Sequence, residues 1–239
     1  MFDVSIAKSH FSLFDMVRTR RYKKQEIIDH PDRFYSFGVI LICGELGSGK
    51  SLTAHRLIKE FLTEKPDILV CSNVRIPFAE KFVAYTGLND FKRIDNDDKG
   101  IILFIDEIMN QFPSTLSKDI SDEWITLLAL LRKKRVLIIG TGPMFSRIAK
   151  PFRETFEYVC LCDSFFGKYG ALIQSNRWYK CNVESKIIGD SDKENTFNMQ
   201  EVKHQVFTIQ VDDLTRYDTS ELVKVVHSDD RKKGSVIYV

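Results

Sequence analysis

The sequence lacks any uninterrupted apolar run of about 18 residues, the minimum for a membrane-spanning helix. Its opening stretch, "MFDVSIAKSHFSLF", is too polar and charged to act as a secretion signal. No membrane span and a cytoplasmic location are therefore expected. A strong charge imbalance is also missing: 35 basic against 33 acidic residues leave a net charge of +2, so contact with nucleic acid has to come from local patches. Five cysteines, Cys43, Cys71, Cys160, Cys162 and Cys181, are odd in number and show no CxxC spacing, which reads as buried reduced thiols rather than a disulfide framework. There is no internal repeat and no low-complexity tract. What remains, 44% hydrophobic and 28% charged residues over 239 positions, is the composition of a soluble globular chain able to bury one sizeable core.

Residues 1–36 mix aromatic and basic side chains without a clean period, and "HPD" at 30–32 marks a turn before the first strong strand, so this stretch is expected to be an N-terminal basic and aromatic arm. From Gly38 onward short β-rich runs alternate with helical patterns: "GVILICG" (38–44), a helix from Ser51 to about Glu64, "DILVCSNV" (67–74) and "GIILFIDE" (100–107). A helix over roughly 121–134 carries Trp124, Leu127, Leu128 and Leu131 at helical spacing, followed by "RVLIIGTG" (135–142) and "FEYVCLCD" (156–163). Strands that are apolar on both faces and separated by helices imply a mainly parallel sheet covered on both sides. The expectation is a three-layer α/β core over 37–165. Residues 166–239 contain "GALIQSNRWYKCNVESKII" and "HQVFTIQVDDL", two strand-like runs around the polar loop "GDSDKENTFNMQ" (189–200), and are expected to form a small β-rich C-terminal extension.

The strongest signal lies between the first strand and the first core helix. Gly44-Glu45-Leu46-Gly47-Ser48-Gly49-Lys50-Ser51 satisfies GxxxxGK[ST] at every fixed position, with Leu52 continuing into the helix. Glycines at these positions let successive backbone N–H groups turn inward around a phosphate, and the helix N-terminus adds its positive end. Lys50 then reaches the outer phosphates, and the Ser51 hydroxyl is suited to ligate Mg²⁺. A mere glycine-rich turn would not need the strand before it and the helix after it. The apolar strand residues running into Asp106-Glu107 place an acidic pair at the carboxyl end of a parallel strand, where α/β sheets bind ligands. Asp106 fits the Mg²⁺-holding position of a P-loop NTPase, and Glu107 is placed to polarise the attacking water. The plainer alternative is that both acids start a helix, where carboxylates complement the dipole.

The order of the cradle, "VCSNVRIP" (70–77), "IILFIDEIMNQFP" (101–113) and "LLRKKRVLIIGTGPMFSRIAKPFRE" (130–154) resembles the zonula-occludens-toxin-like ATPases of filamentous phages and the wider FtsK/HerA group of DNA-translocating and virus-packaging ATPases. The resemblance covers about residues 38–163. It implies the strand order of P-loop ATPases that use a glutamate beside the Mg²⁺ aspartate, in which the strand after the acidic one lies between it and the cradle strand. Its end then reaches the γ-phosphate, which makes Thr141 the candidate sensor. Many relatives carry glutamine there, whereas this chain reads Thr141-Gly142-Pro143.

The same resemblance implies ATP as the nucleotide, DNA movement or virion assembly as the task, and a ring of subunits in which one subunit's arginine reaches its neighbour's nucleotide. Arg132, Arg135, Arg147 and Arg153 are the candidates, with Arg153 of "KPFRE" favoured. Capsid or assembly proteins become the implied partners, in the host cytoplasm for a viral protein. The phage assembly relatives continue into a membrane span that is missing here, which points toward a soluble packaging or DNA-transfer motor. "RTRRYKK" (18–24) suits phosphate contacts plus stacking, and equally suits docking on a neighbouring subunit. "RKKR" (132–135), at the end of a helix, also fits plain complementation of the helix dipole. The alternative function is a nucleotide-dependent switch or scaffold with slow turnover. A small-molecule kinase fits less well, because no arginine-rich lid is visible.

Overall fold

The computed structural model describes residues 12–110, 128, 131–144, 148, 155–165, 170–181 and 199–215. Two compact units meet at the Arg33/Phe34 boundary.

The first unit contains helix α1, Leu13–Asp29. The sequence pattern shows no period here because the helix has no buried side chain: Leu13, Phe14, Met16, Val17, Ile27 and Ile28 are all exposed, at the two ends, with the basic run between them. Without a packed face, local interactions define it. Ser12 caps the N-terminus by accepting from the Asp15 N–H at 3.2 Å, and Gln25 donates to Asp29 one turn on at 2.8 Å. Pro31 comes one residue later, and the residue before a proline, here the C-cap His30, is pushed out of the helical region.

The second unit is built on one eight-stranded sheet. Its strands are β1 (Gly38–Cys43), β2 (Leu69–Ser72), β3 (Phe82–Ala84), β4 (Ile101–Ile105), β5 (Val136–Gly142), β6 (Tyr158–Phe165), β7 (Ile173–Cys181) and β8 (Met199–Thr208). Their spatial order is β3-β2-β4-β5-β1-β6-β7-β8. Neighbours from β3 through β6 pair in parallel, and β6-β7 and β7-β8 are antiparallel. The strand after the acidic one does lie between it and the cradle strand, because β5 pairs with β4 on one side and β1 on the other. The two strands expected in a C-terminal extension add to the same sheet as an antiparallel ribbon beside β6.

Every residue of β1, β4 and β5 is buried. Alternate side chains serve two separate cores: Val39, Leu41, Cys43, Leu103 and Ile138 lie in one cluster, and Ile40, Ile42, Ile102, Phe104 and Ile139 in the other. Sandwiching the sheet in this way explains why these strands read as continuous apolar runs rather than alternating ones. Each fully buried Ile or Leu contributes about 1.5–3 kcal/mol relative to exposure. Helix α2, Lys50–Glu64, covers the second cluster through Ala54 and Ile58. On the other face the short helix Leu88–Phe91 supplies Leu88 and Phe91. All five cysteines are buried and none forms a disulfide. Among the described residues no helix is long and apolar enough to cross a membrane.

Three details differ from the sequence pattern. In the helix expected over 121–134, residues 131–135 form turns; of the rest only Leu128 is described, and it is helical. "HQVFTIQVDDL" is not one strand: β8 stops at Thr208 and Val211–Thr215 turns into a short helix. Asp213 accepts from the Gln210 N–H at 3.0 Å, and Asp212 and Asp213 in the first turn favour the helix start. The polar loop expected at 189–200 lies outside the described residues apart from the first two residues of β8.

Candidate functional site

Because β2, β4, β5 and β1 run parallel side by side, the residues at or just beyond their carboxyl ends converge: Asn73, Asp106 with Glu107, Thr141, and Gly44 with the loop that follows. All the expected cradle and acidic residues therefore sit at one edge of the sheet.

Gly49 ends the loop at the N-cap of α2 with φ of +81°, in the left-handed region that favours glycine. A Cβ there would stand 2.0 Å from Gln174 Oε1, and one at Gly44 would stand 2.6 Å from the Cys162 carbonyl oxygen. An anion is thus not the only reason for glycine at these two positions; the β6-β7 ribbon packs directly behind the loop. Lys50 is buried, and its Nζ donates to the Glu45 carbonyl at 2.9 Å, which also accepts from the Ser48 N–H at 3.1 Å. Leu46 at the loop tip is 99% exposed, whereas Leu52 is buried in the helix.

Across the edge, Asp106 Oδ1 accepts from the Ser51 hydroxyl at 3.2 Å and from the Thr141 hydroxyl at 2.5 Å. Thr141 Oγ1 in turn accepts from the Glu107 N–H at 2.9 Å. One buried threonine therefore ties the two acids together. Glu107 has a φ of +53°, uncommon for a residue with a side chain and a conformation that costs about 1–2 kcal/mol. Burial first, and the Asp106 charge second, push its carboxyl above the ordinary 4.5, with Lys50 opposing. Such a carboxyl is a better proton acceptor near neutrality than an exposed glutamate. Directly after the acidic pair, Ile108–Asn110 form a 3-10 turn, the last residues described before 128.

The sequence pattern gave no role to several residues that complete the site. Asn73 donates to the Asp106 carbonyl at 3.0 Å and accepts from the Asp106 N–H at 2.8 Å. His55, on the first turns of α2, sits with Nδ1 2.8 Å from the Ser51 carbonyl and its ring edge-on to Phe78 and Phe104. Burial holds its imidazole below the ordinary 6.5. From β7, Gln174 donates to the Ser48 carbonyl at 2.8 Å, and Asn176 pairs with Thr53 of α2 at 3.1 Å. The available signal was an amide at every second position, Gln174 and Asn176, which puts both on one face of a strand.

The candidate arginines are less informative. Arg147 and Arg153 lie outside the described residues. Arg135 precedes β5, at the end of the sheet away from the cradle, where it donates to Asp98 Oδ1 at 3.0 Å and to the Phe34 carbonyl at 3.1 Å. Arg132 is exposed, 6.0 Å from the centre of the Phe37 ring. Within "RKKR", Lys134 donates to the carbonyls of Lys92 and Ile94, just past the short helix Leu88–Phe91.

The profile of the ATPase family associated with various cellular activities (AAA) matches residues 40–163. That span exceeds half of the chain and runs from β1 to β6, enclosing the cradle, the acidic pair and the strand between them. The chain belongs to this family. It is an AAA-family ATPase and an ATP-binding protein. Among solved structures, this AAA chain is similar to the N-terminal domain of zonular occludens toxin from Neisseria meningitidis, with a TM-score of 0.51, 17% identity, and 77% of this chain and 100% of that one covered. It is also similar to the genome packaging NTPase B204 of Sulfolobus turreted icosahedral virus 2 in complex with AMPPCP, with a TM-score of 0.44, 10% identity, and coverage of 63% and 94%. At these identities the first likeness is one of fold. Among curated proteins none matches this sequence.

Proposed function

We propose that this AAA ATPase is a motor that couples ATP hydrolysis to DNA packaging, DNA translocation or virion assembly. The observation that carries the proposal is the chain of contacts from cradle to acids: Ser51 and Thr141 both donate to one oxygen of Asp106, and Glu107 follows directly. In this reading the loop Gly44 to Ser51 and the start of α2 hold the triphosphate, with Lys50 leaving the Glu45 carbonyl to reach the outer phosphates. The Ser51 hydroxyl and Asp106 carboxylate, hard oxygen donors already within 3.2 Å, fit Mg²⁺. Bound there, the ion supplies neutralisation of phosphate charge. Glu107 takes a proton from the water that attacks the γ-phosphorus as the bond to ADP breaks. Thr141 keeps the two acids in register and senses the γ-phosphate.

The proposal extends to a ring of identical subunits, with Arg153 reaching the neighbouring nucleotide, and to a cytoplasmic site of action alongside capsid or assembly proteins. DNA is the proposed cargo: α1 exposes Arg18, Arg20, Arg21, Tyr22, Lys23 and Lys24 together, a mixture suited to phosphate contact and base stacking. The test is ATP turnover with and without DNA in the wild type, Lys50→Ala and Glu107→Gln. DNA-stimulated turnover that disappears in both variants supports the motor. Tight ATP binding with no DNA-dependent turnover overturns it in favour of a slow nucleotide switch.

A further inference from the structure

The β6-β7 ribbon touches the cradle at three points. Gln174 Nε2 donates to the Ser48 carbonyl at 2.8 Å, Ser164 Oγ donates to the Gly47 carbonyl at 3.1 Å, and the Cys162 carbonyl oxygen lies 2.6 Å from where a Gly44 Cβ would be. Gln174 is fully buried, 126 positions after Ser48 in the chain. Its Nε2 also donates to Asn176 Oδ1 at 2.9 Å, and Asn176 is held by Thr53 on the cradle helix. The amide is therefore fixed from both sides, by β7 and by α2.

We infer that Gln174, seconded by Ser164, is a positioning residue for the phosphate cradle and sets the affinity of this ATPase for the triphosphate. The argument rests on peptide geometry. In a trans peptide the C=O and N–H point in opposite directions. By holding the Ser48 carbonyl against the ribbon, Gln174 turns the Gly49 N–H to the opposite side, the direction in which a cradle loop presents its donors to a phosphate. Ser164 anchors the Gly47 carbonyl of the preceding peptide to the same ribbon, and the Ser48 N–H of that peptide is taken by the Glu45 carbonyl at 3.1 Å. The left-handed φ at Gly47 and Gly49 is what lets the Gly47 and Ser48 carbonyls face the ribbon together. Packing alone does not account for the choice of residue. Among the described residues Gln174 Oε1 is buried with no hydrogen-bond partner, so the position retains an amide for its donor.

This inference rests on the reading of the loop as the triphosphate site, and Lys50→Ala separates the two. The experiment measures Kd for a non-hydrolysable ATP analogue by calorimetry, and KM and kcat for ATP, in the full chain. Gln174→Leu keeps the volume and removes the donor; Gln174→Glu keeps the shape, removes the donor and adds negative charge beside the phosphates. The expected result is a rise in Kd and KM of about tenfold for Gln174→Leu, equal to about 1.4 kcal/mol, and a larger rise for Gln174→Glu. The kcat at saturation stays within about twofold, the signature of an effect on uniform binding. Kd and KM unchanged in both folded variants, or kcat lost at unchanged KM, overturns the inference. Where Gln174→Leu does not fold, Ser164→Ala on the same ribbon decides: a rise in KM of about threefold supports it and an unchanged KM overturns it. If Lys50→Ala binds the analogue as the wild type does, the triphosphate reading itself fails. If Lys50→Ala loses binding while the ribbon variants keep theirs, only this inference fails.

Discussion

Asn73 and Asp106 hold each other by a pair of hydrogen bonds, the Asn73 side chain taking both the N–H and the C=O of Asp106. The arrangement extends the β2-β4 ladder one step beyond the last strand pair, Ser72 with Phe104, using a side chain in place of backbone. It fixes the peptide that carries the proposed Mg²⁺ ligand. Asn73→Ala leaves both Asp106 groups, half-buried, without that partner, which costs about 1–3 kcal/mol for each group that water does not reach. The expected outcome is a lower urea midpoint together with a fall in kcat of about tenfold or more. Unchanged turnover would show that Asp106 does not need the clamp.

Glu107 carries the proposed general base, and its burial sets the pH dependence. Glu107→Gln keeps the shape and the N–H to Thr141, so nucleotide binding is expected to persist while turnover falls by about 10²- to 10⁴-fold. The carboxyl is raised above 4.5 in the folded chain. Activity therefore falls on acidification at a pH above the usual carboxylate range, as the base becomes protonated. The stability effect has the opposite sign: a raised carboxyl favours the neutral form, so its contribution is present at low pH and is lost as pH rises through the folded value. A kcat profile with its acid limb at an ordinary exposed-glutamate position would contradict the burial argument.

Thr141 is the joint between the acids, with no exposed surface. Thr141→Val keeps volume but removes the donor to Asp106 and the acceptor for the Glu107 N–H. Thr141→Ser keeps both polar roles and loses a methyl group. Turnover is expected to drop by about tenfold or more in the valine variant, following the misplacement of reacting groups, and to be largely retained in the serine variant. Equal activity in the two would remove the hydroxyl from the account.

The core of the fold was legible for a physical reason: strands sandwiched between two apolar clusters have to be apolar throughout, so β1, β4 and β5 stand out as unbroken runs. The cradle was legible because Gly49 and Lys50 are constrained over a span of adjacent residues. Helix α1 was not, since it buries nothing and therefore carries no period. Asn73 and Gln174 were hidden for another reason. Each acts across the sheet, 33 and 126 positions from the residue it holds, and only the strand order brings them there. Thr141 was found through the family resemblance, but its bond to the Glu107 backbone depends on the β4-β5 register, which sequence spacing does not contain.

Gly49 tests the packing behind the cradle in a way that ATP turnover does not. Gly49→Ala meets two separate obstacles: a left-handed backbone, costing about 1–2 kcal/mol for a residue with a Cβ, and the Gln174 amide oxygen 2.0 Å from where that Cβ would lie. Shortening the opposing side chain in Gly49→Ala/Gln174→Ala relieves the second obstacle and leaves the first. Urea denaturation of the wild type, both single variants and the double variant isolates the contact. The double variant is expected to be more stable than the sum of the single losses indicates, by about 0.5–3 kcal/mol, as for residues in direct contact. Strict additivity would mean that the loop relaxes away from β7 freely, and the ribbon would then be too loosely joined to the cradle to orient it.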